Sequence, residues 1–295
     1  MSTEKTIYAL GFFDGVHLGH QALLTACKEL AAQHGCKAGA LTFTSHPDAL
    51  TTGTAPALIN SIEDRENLLF SYGAEIVWQL PFNEELKNTH WSAFLTLLLK
   101  DSAAGFVCGD DFRFGAGGVG TAKKLAAFCE KRGLPYAIVP QQEIDGIRVS
   151  SSHIRKLLED GDTFNASTFM GHPHILTGRV VAGKGLGRTI GVPTANIEVP
   201  EGVLLPKQGV YISGVIVDDV PYKALTNIGS RPTVDGHHVT VESWLLDFEG
   251  DLYDKEITLA FIMYLRPEQK FDSLEELKAQ IEKDADQIRK LLPES

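Results

Sequence analysis

The sequence predicts an α/β domain with a parallel sheet, followed by a small antiparallel β-barrel that carries a C-terminal helix. Through about residue 160, short apolar runs alternate with helical patterns, which is typical of a parallel sheet covered by helices. Helical periodicity then gives way to short β runs separated by Gly, Pro and Asp, which favours a barrel. We therefore expect one domain at 1–160, a linker at 161–172 and a second domain at 173–295.

The first domain is expected to alternate strand and helix along its whole length. The strands are expected at 8–10, 38–43, 75–80, 105–108 and 136–139, and the helices at 18–34, 61–72, 90–100, 121–132 and 151–159. Ligands bind beyond the carboxyl ends of the strands in sheets of this kind. The segment that follows the first strand is therefore a candidate site.

The second domain is expected to be built from five strands and one helix. The strands are expected at 175–181, 210–217, 222–227, 239–248 and 256–263. Ser273-Leu274-Glu275-Glu276 forms a capping box at the start of the final helix. The apolar stripe that should pack this helix on the barrel consists of Leu274, Leu277, Ile281, Ile288 and Leu291.

Composition limits the classes of partner. The net charge of −11 argues against a general nucleic-acid binder, whose surface is normally basic. No apolar run approaches membrane-spanning length, and the opening residues lack a secretory signal. The four cysteines form no CxxC pair, so we expect reduced, largely buried thiols in a cytoplasmic protein. Small molecules are the expected partners, and the sequence leaves the oligomeric state open.

The segment LGFFDGVHLGH at 10–20 predicts a phosphate-binding turn. A helix should begin here, and its first N–H groups and the positive end of its dipole attract anions. His17 and His20 are three residues apart and should share one face of that helix. Gly19 between them allows a ligand to approach closely. The alternative is a tight turn with two incidental histidines.

Two later segments of the first domain add polar groups. The loop CGDDFRFG at 108–115 ends a strand and offers Asp, Arg and Gly, although a plain turn has the same composition. Ser150, Ser151 and Ser152 stand at a helix start, where hydroxyls act as N-caps. Arg155 follows one turn later on the same face, and its guanidinium suits phosphate oxygens.

A glycine-rich segment opens the second domain. GRVVAGKG at 178–185 nearly matches a P-loop, but Gly185 stands where a metal-binding Ser or Thr is required, and the residues that follow are not expected to begin a regular helix. Such a loop still binds phosphates through its backbone amides, although a flexible surface loop is the alternative. Thr194 and Asn196 in the following GVPTANI supply hard oxygen ligands suited to Mg²⁺.

The segments 11–20, 109–115 and 150–155, in that order and spacing, resemble the nucleotidyltransferase domain of bacterial bifunctional riboflavin kinase/FAD synthetases. The resemblance implies a Rossmann-like domain in which the phosphate of FMN attacks the α-phosphorus of ATP and releases pyrophosphate. It also implies that His17 and His20 contact phosphates and stabilise the charge at the reacting phosphorus. The residues implied in nucleotide binding are Gly11, Asp14, Gly19, Ser151, Ser152 and Arg155. Residues 42–47, TFTSHP, resemble the family's TFxPHP with Ser45 at the usual proline, so His46 is either functional or structural.

Residues 178–196 match the pattern GxVxxGxxxGRxxGxPTAN and resemble the flavokinase domain of the same family. The resemblance implies a flavokinase-like barrel that phosphorylates riboflavin with ATP to give FMN. Glu242 would be the general base that takes the proton of the ribityl 5′-hydroxyl. Thr194 and Asn196 would anchor Mg²⁺, and Arg266 would lie near the flavin or act as a surface ion-pair partner. The nucleotide-binding residues implied here are Gly183, Gly185, Gly187 and Thr194.

The chain departs from the family pattern at three points. The domain junction reads FMGHPH at 169–174, with histidines at the usual Arg and Tyr positions, so packing there is expected to differ. Trp244 stands where His is frequent, and Asp254 replaces the Gly of LYGK. One alternative function is a riboflavin kinase whose adenylyltransferase domain is degenerate. Another is a non-catalytic flavin-binding regulator, against which the presence of His17, His20 and Glu242 argues.

Overall fold

The computed structural model describes residues 4–183, 186–233 and 236–291. The chain forms two compact units. The N-terminal unit contains Met1–Leu58 and Ile62–Ser151, and the C-terminal unit contains Ile59–Ser61 and Ser152–Ser295. The division after Ser151 lies upstream of the boundary at 160 that the composition indicates.

The N-terminal unit is an α/β unit with a parallel sheet, as predicted. Its strands are β1 (Thr6–Leu10), β2 (Lys37–Phe43), β3 (Ile76–Leu80), β4 (Ala103–Gly109), β5 (Arg113–Phe114), β6 (Gly120–Thr121), β7 (Tyr136–Val139), β8 (Glu143–Ile144) and β9 (Ile147–Arg148). Its helices are α1 (Leu18–His34), α2 (Asp48–Thr51), α3 (Ile62–Ser71), α4 (Glu84–Lys87), α5 (Trp91–Asp101) and α6 (Ala122–Glu130), with a 3₁₀ turn at Ala116–Gly118. The main sheet has the order β3-β2-β1-β4-β7 with all strands parallel. The order reverses beside β1, so the segment after β1 lies at the switch point where ligands bind in such sheets.

Apolar layers cover both faces of this sheet. Tyr8 and Leu10 of β1 pack in a cluster with α5 and α6, whereas Ile7 and Ala9 pack in a second cluster with α1. The alternation follows from the two-residue period of a strand. The sheet is therefore held from both sides, and its strand ends are fixed relative to one another.

The C-terminal unit is a closed six-stranded barrel with a terminal helix, as predicted. Its helices are α7 (Ser151–Asp160), α8 (Thr163–Met170), α9 (Leu186–Thr189) and α10 (Leu274–Leu291), and its strands are β10 (His174–Val181), β11 (Ala195–Ile197), β12 (Gly209–Val217), β13 (Val220–Thr233), β14 (Gly236–Leu245) and β15 (Glu256–Arg266). The order around the barrel is β10-β11-β14-β13-β12-β15, with every pairing antiparallel. Neither β11 nor the single-turn helix α9 is foreseen by the sequence.

The segment expected to be a linker at 161–172 is largely helical. Asp162 caps α8 by accepting a hydrogen bond from the Asn165 amide, and Gly171 ends the helix in the left-handed conformation. Ala166, Phe169 and Met170 are buried. Polar residues at the helix ends conceal this short apolar face in the sequence, so the composition shift alone overstates the length of the connection.

The two faces of β14 serve different purposes. Val241 and Leu245 point into the barrel core, and so does Ser243, whose hydroxyl meets that of Thr226 at 2.9 Å. The alternate residues of β13 and β14 lie outside the barrel, where Leu225 and Trp244 pack with Ile288 of α10. The outer face of β14 is thus the one that α10 partly covers.

Half of the predicted capping box of α10 forms: the Ser273 hydroxyl accepts from the Glu276 amide at 3.1 Å, whereas the Glu276 carboxylate accepts from the Asp272 amide at 3.2 Å and not from that of Ser273. The predicted stripe is buried in its middle and exposed at its ends, where Leu274 and Leu291 are about half exposed. Within the described residues, no helix is both long enough and apolar enough to cross a membrane.

Candidate active sites

The turn after β1 is tight, buried and strained. Phe13 and Val16 both have positive φ, 60° and 34°, and both side chains are fully buried. Positive φ is unfavourable for any residue with a Cβ and is rare for a β-branched one. The Val16 amide donates to the Phe13 carbonyl at 3.1 Å and closes the turn. Strain of this kind persists where surrounding packing fixes the backbone, and it is frequent at functional sites.

His17 and His20 lie together at the start of α1, as predicted. His17 is the N-cap, and its Nδ1 accepts from the His20 amide at 3.3 Å, which assigns the proton of the neutral ring to Nε2. The two rings stack with centroids 3.6 Å apart. A Cβ at Gly19 would stand 3.2 Å from the His17 ring, so the glycine makes room for this stack. The imidazoles therefore stand beside the free amides of the helix start.

His20 is a desolvated imidazole. Its Nδ1 is buried without a hydrogen-bond partner among the described residues. Burial holds the pKa of His20 well below its usual value of 6.5, and electrostatic interactions with His17 and with the Arg65 guanidinium lower it further. The ring is neutral at pH 7, so it acts as a hydrogen-bonding group and not as a fixed cation.

The predicted serine and arginine residues at 151–155 divide between the two units. Ser151 belongs to the N-terminal unit and its hydroxyl donates to the Asp14 carbonyl at 2.9 Å, which links the start of α7 to the histidine turn. Asp14 itself is buried. Ser152 and Arg155 lie in α7 and belong to the C-terminal unit.

A cavity of about 300 Å³ adjoins the same strand ends. Gly11, the first predicted nucleotide-binding residue, lies on its wall. The other walls are mainly apolar and aromatic and include Leu41, Phe43, Phe82, Phe94, Phe112 and Phe114. The rings of Phe112 and Phe114 stack with centroids 5.4 Å apart. The loop at 109–115 therefore supplies a flat aromatic wall, whereas its Asp111 forms an ion pair with Arg148.

His46 caps a local helix. Its Nδ1 accepts from the Asp48 amide at 3.1 Å, and its ring contacts the edge of Phe12. These contacts are consistent with the structural alternative for His46, which the sequence leaves open because Ser45 replaces the usual proline.

In the barrel, three polar residues occupy one row across adjacent strands. Glu242 of β14 is paired with Asn196 of β11 on one side and with Asn227 of β13 on the other. Residues opposite one another in antiparallel strands have Cβ atoms about 5 Å apart and share a face. The Asn227 amide donates to Glu268 at 3.0 Å. Sequence reasoning includes Glu242 and Asn196 but assigns no role to Asn227 or Glu268.

A cavity of about 560 Å³ adjoins Glu242 and Asn227 of this row, on the outside of the barrel, and Asn196 is not among its lining residues. Thr194, Glu242 and Arg266 line it, together with Trp244 and the apolar side of α10. The cavity therefore brings together the predicted base, a predicted metal ligand and an aromatic wall.

Two glycines of the loop after β10 are required by close contacts. A Cβ at Gly183 would overlap the side-chain amide of Asn196. A Cβ at Gly187 would overlap the Val192 carbonyl and would stand 3.5 Å from the Thr194 hydroxyl. The predicted metal ligands thus lie directly against glycine backbone. Gly185, the third predicted glycine, lies outside the described residues.

Arg266 is engaged by the terminal helix. Its Nε and Nη2 donate to the Asp284 carboxylate at 2.9 and 2.8 Å, and Nη1 donates to the Pro267 carbonyl. Asp284 is 1% exposed and also accepts from Gln280. The ion pair is therefore buried, whereas the sequence-based alternative is a surface pair. Arg266 ties α10 to the barrel while lining the cavity.

The described units define a class: two-unit proteins that combine a parallel α/β unit, with two histidines at the helix start after its first strand, and a closed β-barrel with an outer cavity. A family model described as FAD synthetase matches residues 1–153, and one described as riboflavin kinase matches residues 170–292. The chain belongs to the bifunctional riboflavin kinase/FMN adenylyltransferase family.

Similar proteins cover both segments. The bifunctional riboflavin kinase/FMN adenylyltransferase of Listeria monocytogenes is 33% identical over 96% of this chain and 91% of its own length. The Escherichia coli K12 protein of the same name is 37% identical over 95% of this chain and 91% of its own. A crystal structure described as a macrolide-efflux protein from Streptococcus pneumoniae has a TM-score of 0.89 at 29% identity, over 98% of this chain and 95% of that one.

Proposed function

We propose that this protein phosphorylates riboflavin to FMN in the C-terminal unit and adenylylates FMN to FAD in the N-terminal unit, with ATP as co-substrate of both reactions. The observation that carries the proposal is that a riboflavin kinase model and an FAD synthetase model match separate segments of this chain. The similar proteins that cover both segments are named for both activities. The polar groups of the histidine turn and of the outer barrel cavity support the proposal.

In the kinase reaction, we assign Glu242 as the general base. The ribityl 5′-hydroxyl attacks the γ-phosphorus, its proton passes to the Glu242 carboxylate, and ADP leaves. The position of Glu242 on the wall of the outer cavity, partly exposed and flanked by two asparagines, supports this role. Gly183 and Gly187 allow backbone amides to approach the phosphates of ATP.

Thr194 and Asn196 are the proposed ligands of Mg²⁺. Their oxygens are the hard donors that this ion prefers, and glycine backbone packs against both side chains where a Cβ at Gly183 would overlap Asn196. When bound, Mg²⁺ would neutralise charge on the phosphates being transferred. Asn196 faces Glu242 across the strand pair, so the base and the proposed metal ligand share one face.

In the adenylyl transfer, the FMN phosphate attacks the α-phosphorus of ATP and pyrophosphate leaves. The positive end of α1, with His17 and His20, would stabilise charge that develops at that phosphorus. Gly11, Asp14, Gly19 and Ser151 are the remaining proposed nucleotide-binding residues of the N-terminal unit. Ser152 and Arg155, in the C-terminal unit, are proposed to bind nucleotide from the resemblance alone. The aromatic cavity at Gly11 suits the flat flavin ring of FMN.

A cytoplasmic location is part of the proposal. All four cysteines are free thiols, and Cys27, Cys108 and Cys129 are buried. Burial raises the pKa of Cys27 to about 11 and that of Cys129 to about 11, so these thiols stay protonated and unreactive. Reduced cysteines of this kind are typical of the cytoplasm.

The test is a turnover assay on the purified chain with riboflavin, ATP and Mg²⁺, with flavins separated by chromatography. FMN is expected first and FAD after it, and chelation of Mg²⁺ by EDTA should stop FMN formation. Unchanged riboflavin would contradict the kinase assignment. FMN that accumulates without FAD would select the kinase-only alternative.

A further inference from the structure

Arg65 is a buried cation that neither reaction uses directly. It lies in the first turns of α3 and is 1% exposed. Its Nη1 donates to the Phe12 carbonyl at 3.3 Å and its Nη2 to the Phe43 carbonyl at 2.6 Å. The guanidinium also stands 4.5 Å from the centroid of the Phe12 ring. Burial of a charge is costly, so a guanidinium kept here must be compensated by such contacts.

The two carbonyls belong to the two strand ends that carry the N-terminal site. Phe43 is the last residue of β2, and Phe12 follows β1 by two residues and leads into the strained turn at Phe13. The Thr42 hydroxyl donates to the same Phe12 carbonyl at 2.8 Å. One rigid side chain thus links the ends of adjacent parallel strands where the backbone must adopt positive φ.

The charge of Arg65 also acts on this turn. It is attracted by Asp14, which opposes the lowering of its own pKa by burial. With burial and His17, it lowers the pKa of His20. Arg65 is thus a buried cation close to the His20 imidazole, and the buried carboxylate of Asp14 is its counter-charge. An anionic phosphate arriving at the start of α1 would meet the positive end of the helix dipole beside these groups.

We propose that Arg65 is a positioning residue of the adenylyl-transfer site, which bridges the Phe12 and Phe43 carbonyls and so holds the turn that places His17 and His20 at the start of α1. The inference rests on the proposed role of these two histidines. Arg65 acts through them and through the backbone, without contact to the reacting atoms.

The test compares Arg65→Met, Arg65→Lys and the control Arg132→Met in the full chain. Arg132, an exposed arginine of the same unit, makes the same kinds of contact, over the Phe128 ring at 3.7 Å and bonded to the Phe128 carbonyl, but it bridges no strand ends. Steady-state rates of FAD formation from FMN give kcat and KM, and riboflavin phosphorylation in the same sample reports on the other unit. The His20 ring is titrated by NMR.

Arg65→Met should lower kcat for FAD formation about 100-fold, because misplacement of a catalytic group by about 1 Å has this effect. Arg65→Lys should recover about tenfold of the loss, since an ammonium restores the charge but not the two-pronged bridge. The pKa of His20 should rise in the Met variant. Kinase activity should be unchanged in both variants, and Arg132→Met should match the wild type in both reactions.

FAD formation by folded Arg65→Met within twofold of the wild type would overturn the proposal. If the Met substitution unfolds the N-terminal unit, as judged by circular dichroism and proteolysis, Arg65→Lys decides: full activity in this variant overturns the proposal, and a tenfold lower kcat at unchanged KM supports it. The variant His17→Ala plus His20→Ala separates the two hypotheses. If the double histidine variant still forms FAD, the proposed adenylyl-transfer site is wrong. If the double variant is inactive and Arg65→Met is fully active, only the proposed role of Arg65 is wrong.

Discussion

The N-terminal candidate site presents a neutral imidazole, whereas the C-terminal one presents a carboxylate. This difference matches the two proposed nucleophiles, the phosphate of FMN and the hydroxyl of riboflavin. The N-terminal site is a buried turn with neutral His20 and backbone amides at a helix start. The C-terminal site is an open cavity with the partly exposed carboxylate of Glu242 on its wall. The phosphate of FMN is already ionised at neutral pH and needs only charge stabilisation, whereas the hydroxyl of riboflavin must lose a proton.

The scaffolds match these demands. Strained backbone at Phe13 and Val16 fixes amides and imidazoles in place before a ligand arrives. On the barrel, the strand register sets Glu242 beside Asn196 and Asn227, because a slip of β14 by one residue would turn Glu242 into the core. The N-terminal site is thus held by a strained turn, and the C-terminal site by the pairing of adjacent strands.

The strongest way to break this comparison is to remove the key groups of each site in turn. Glu242→Gln should lower FMN formation about 1000-fold, in the range for loss of a general base, and leave FAD formation from supplied FMN intact. His17→Ala plus His20→Ala should lower FAD formation about 1000-fold through lost transition-state stabilisation and leave FMN formation intact. Both rates are measured by chromatography of flavins on the same sample.

Matched controls come from exposed residues of the same two units. Glu256→Gln changes a surface glutamate of β15, and His34→Ala changes a histidine in the last turn of α1. Neither should alter either rate. A folded Glu242 or histidine variant that lost both activities would refute the assignment of one reaction to each unit.

The C-terminal site can be tested more finely through its glycines. Gly183→Ala should displace the Asn196 amide, and Gly187→Ala should press on the Val192 carbonyl beside Thr194. Each should lower kcat for FMN formation about 100-fold by misplacing proposed metal ligands. Gly214→Ala in β12 is the control, since the nearest atom to its Cβ would be 3.9 Å away. Normal kinase activity in Gly183→Ala would show that the position of Asn196 does not matter for the reaction.

How far the sequence predicts each site depends on how local its determinants are. The histidine turn lies within eleven consecutive residues, so its composition predicts both the helix start and the phosphate chemistry. Arg65, in contrast, stands in the charged run Glu63-Asp64-Arg65-Glu66, which is typical of a solvated helix face. Only the tertiary packing buries it against strand ends that are distant in sequence.

The barrel gives the same lesson. Asn196 and Glu242 are found through their motifs, but their pairing depends on β11, which has three residues and too short a pattern to predict. Arg266 is predicted near the flavin or at the surface because its partner, Asp284, lies on a helix whose docking the sequence does not specify in detail. Contacts between residues that are distant in the chain are therefore the part of each site that the sequence does not predict.

The smallest effect concerns stability and comes from His174, one of the two histidines at the unusual junction. It is fully buried, its ring stacks on that of Phe261, and the Leu204 backbone lies close to the ring and partly opposes the lowering of its pKa. Burial, and then the charge of His172, lower the pKa of His174 from 6.5 to about 4. The folded state therefore excludes the proton that the unfolded state accepts, so stability is full above pH 6.5 and falls as the pH drops towards 4.

This proton linkage should cost the C-terminal unit about 2 kcal/mol at pH 5 relative to pH 8. The free energy of unfolding of the C-terminal unit is measured at pH 5 and pH 8 by urea unfolding, with hydrogen exchange of the β15 amides as the probe. His174→Phe removes the titrating ring and should lose that share of the pH dependence, whereas His34→Gln, at an exposed position, should keep the wild-type dependence. Equal pH dependence in His174→Phe and the wild type would mean that His174 is protonated in the folded barrel. The histidine turn of the other unit also keeps a ring neutral by burial, so it has a pH dependence of its own. Hydrogen exchange is therefore measured at the β15 amides, because His174 pairs with Phe261 of that strand and the histidine turn does not.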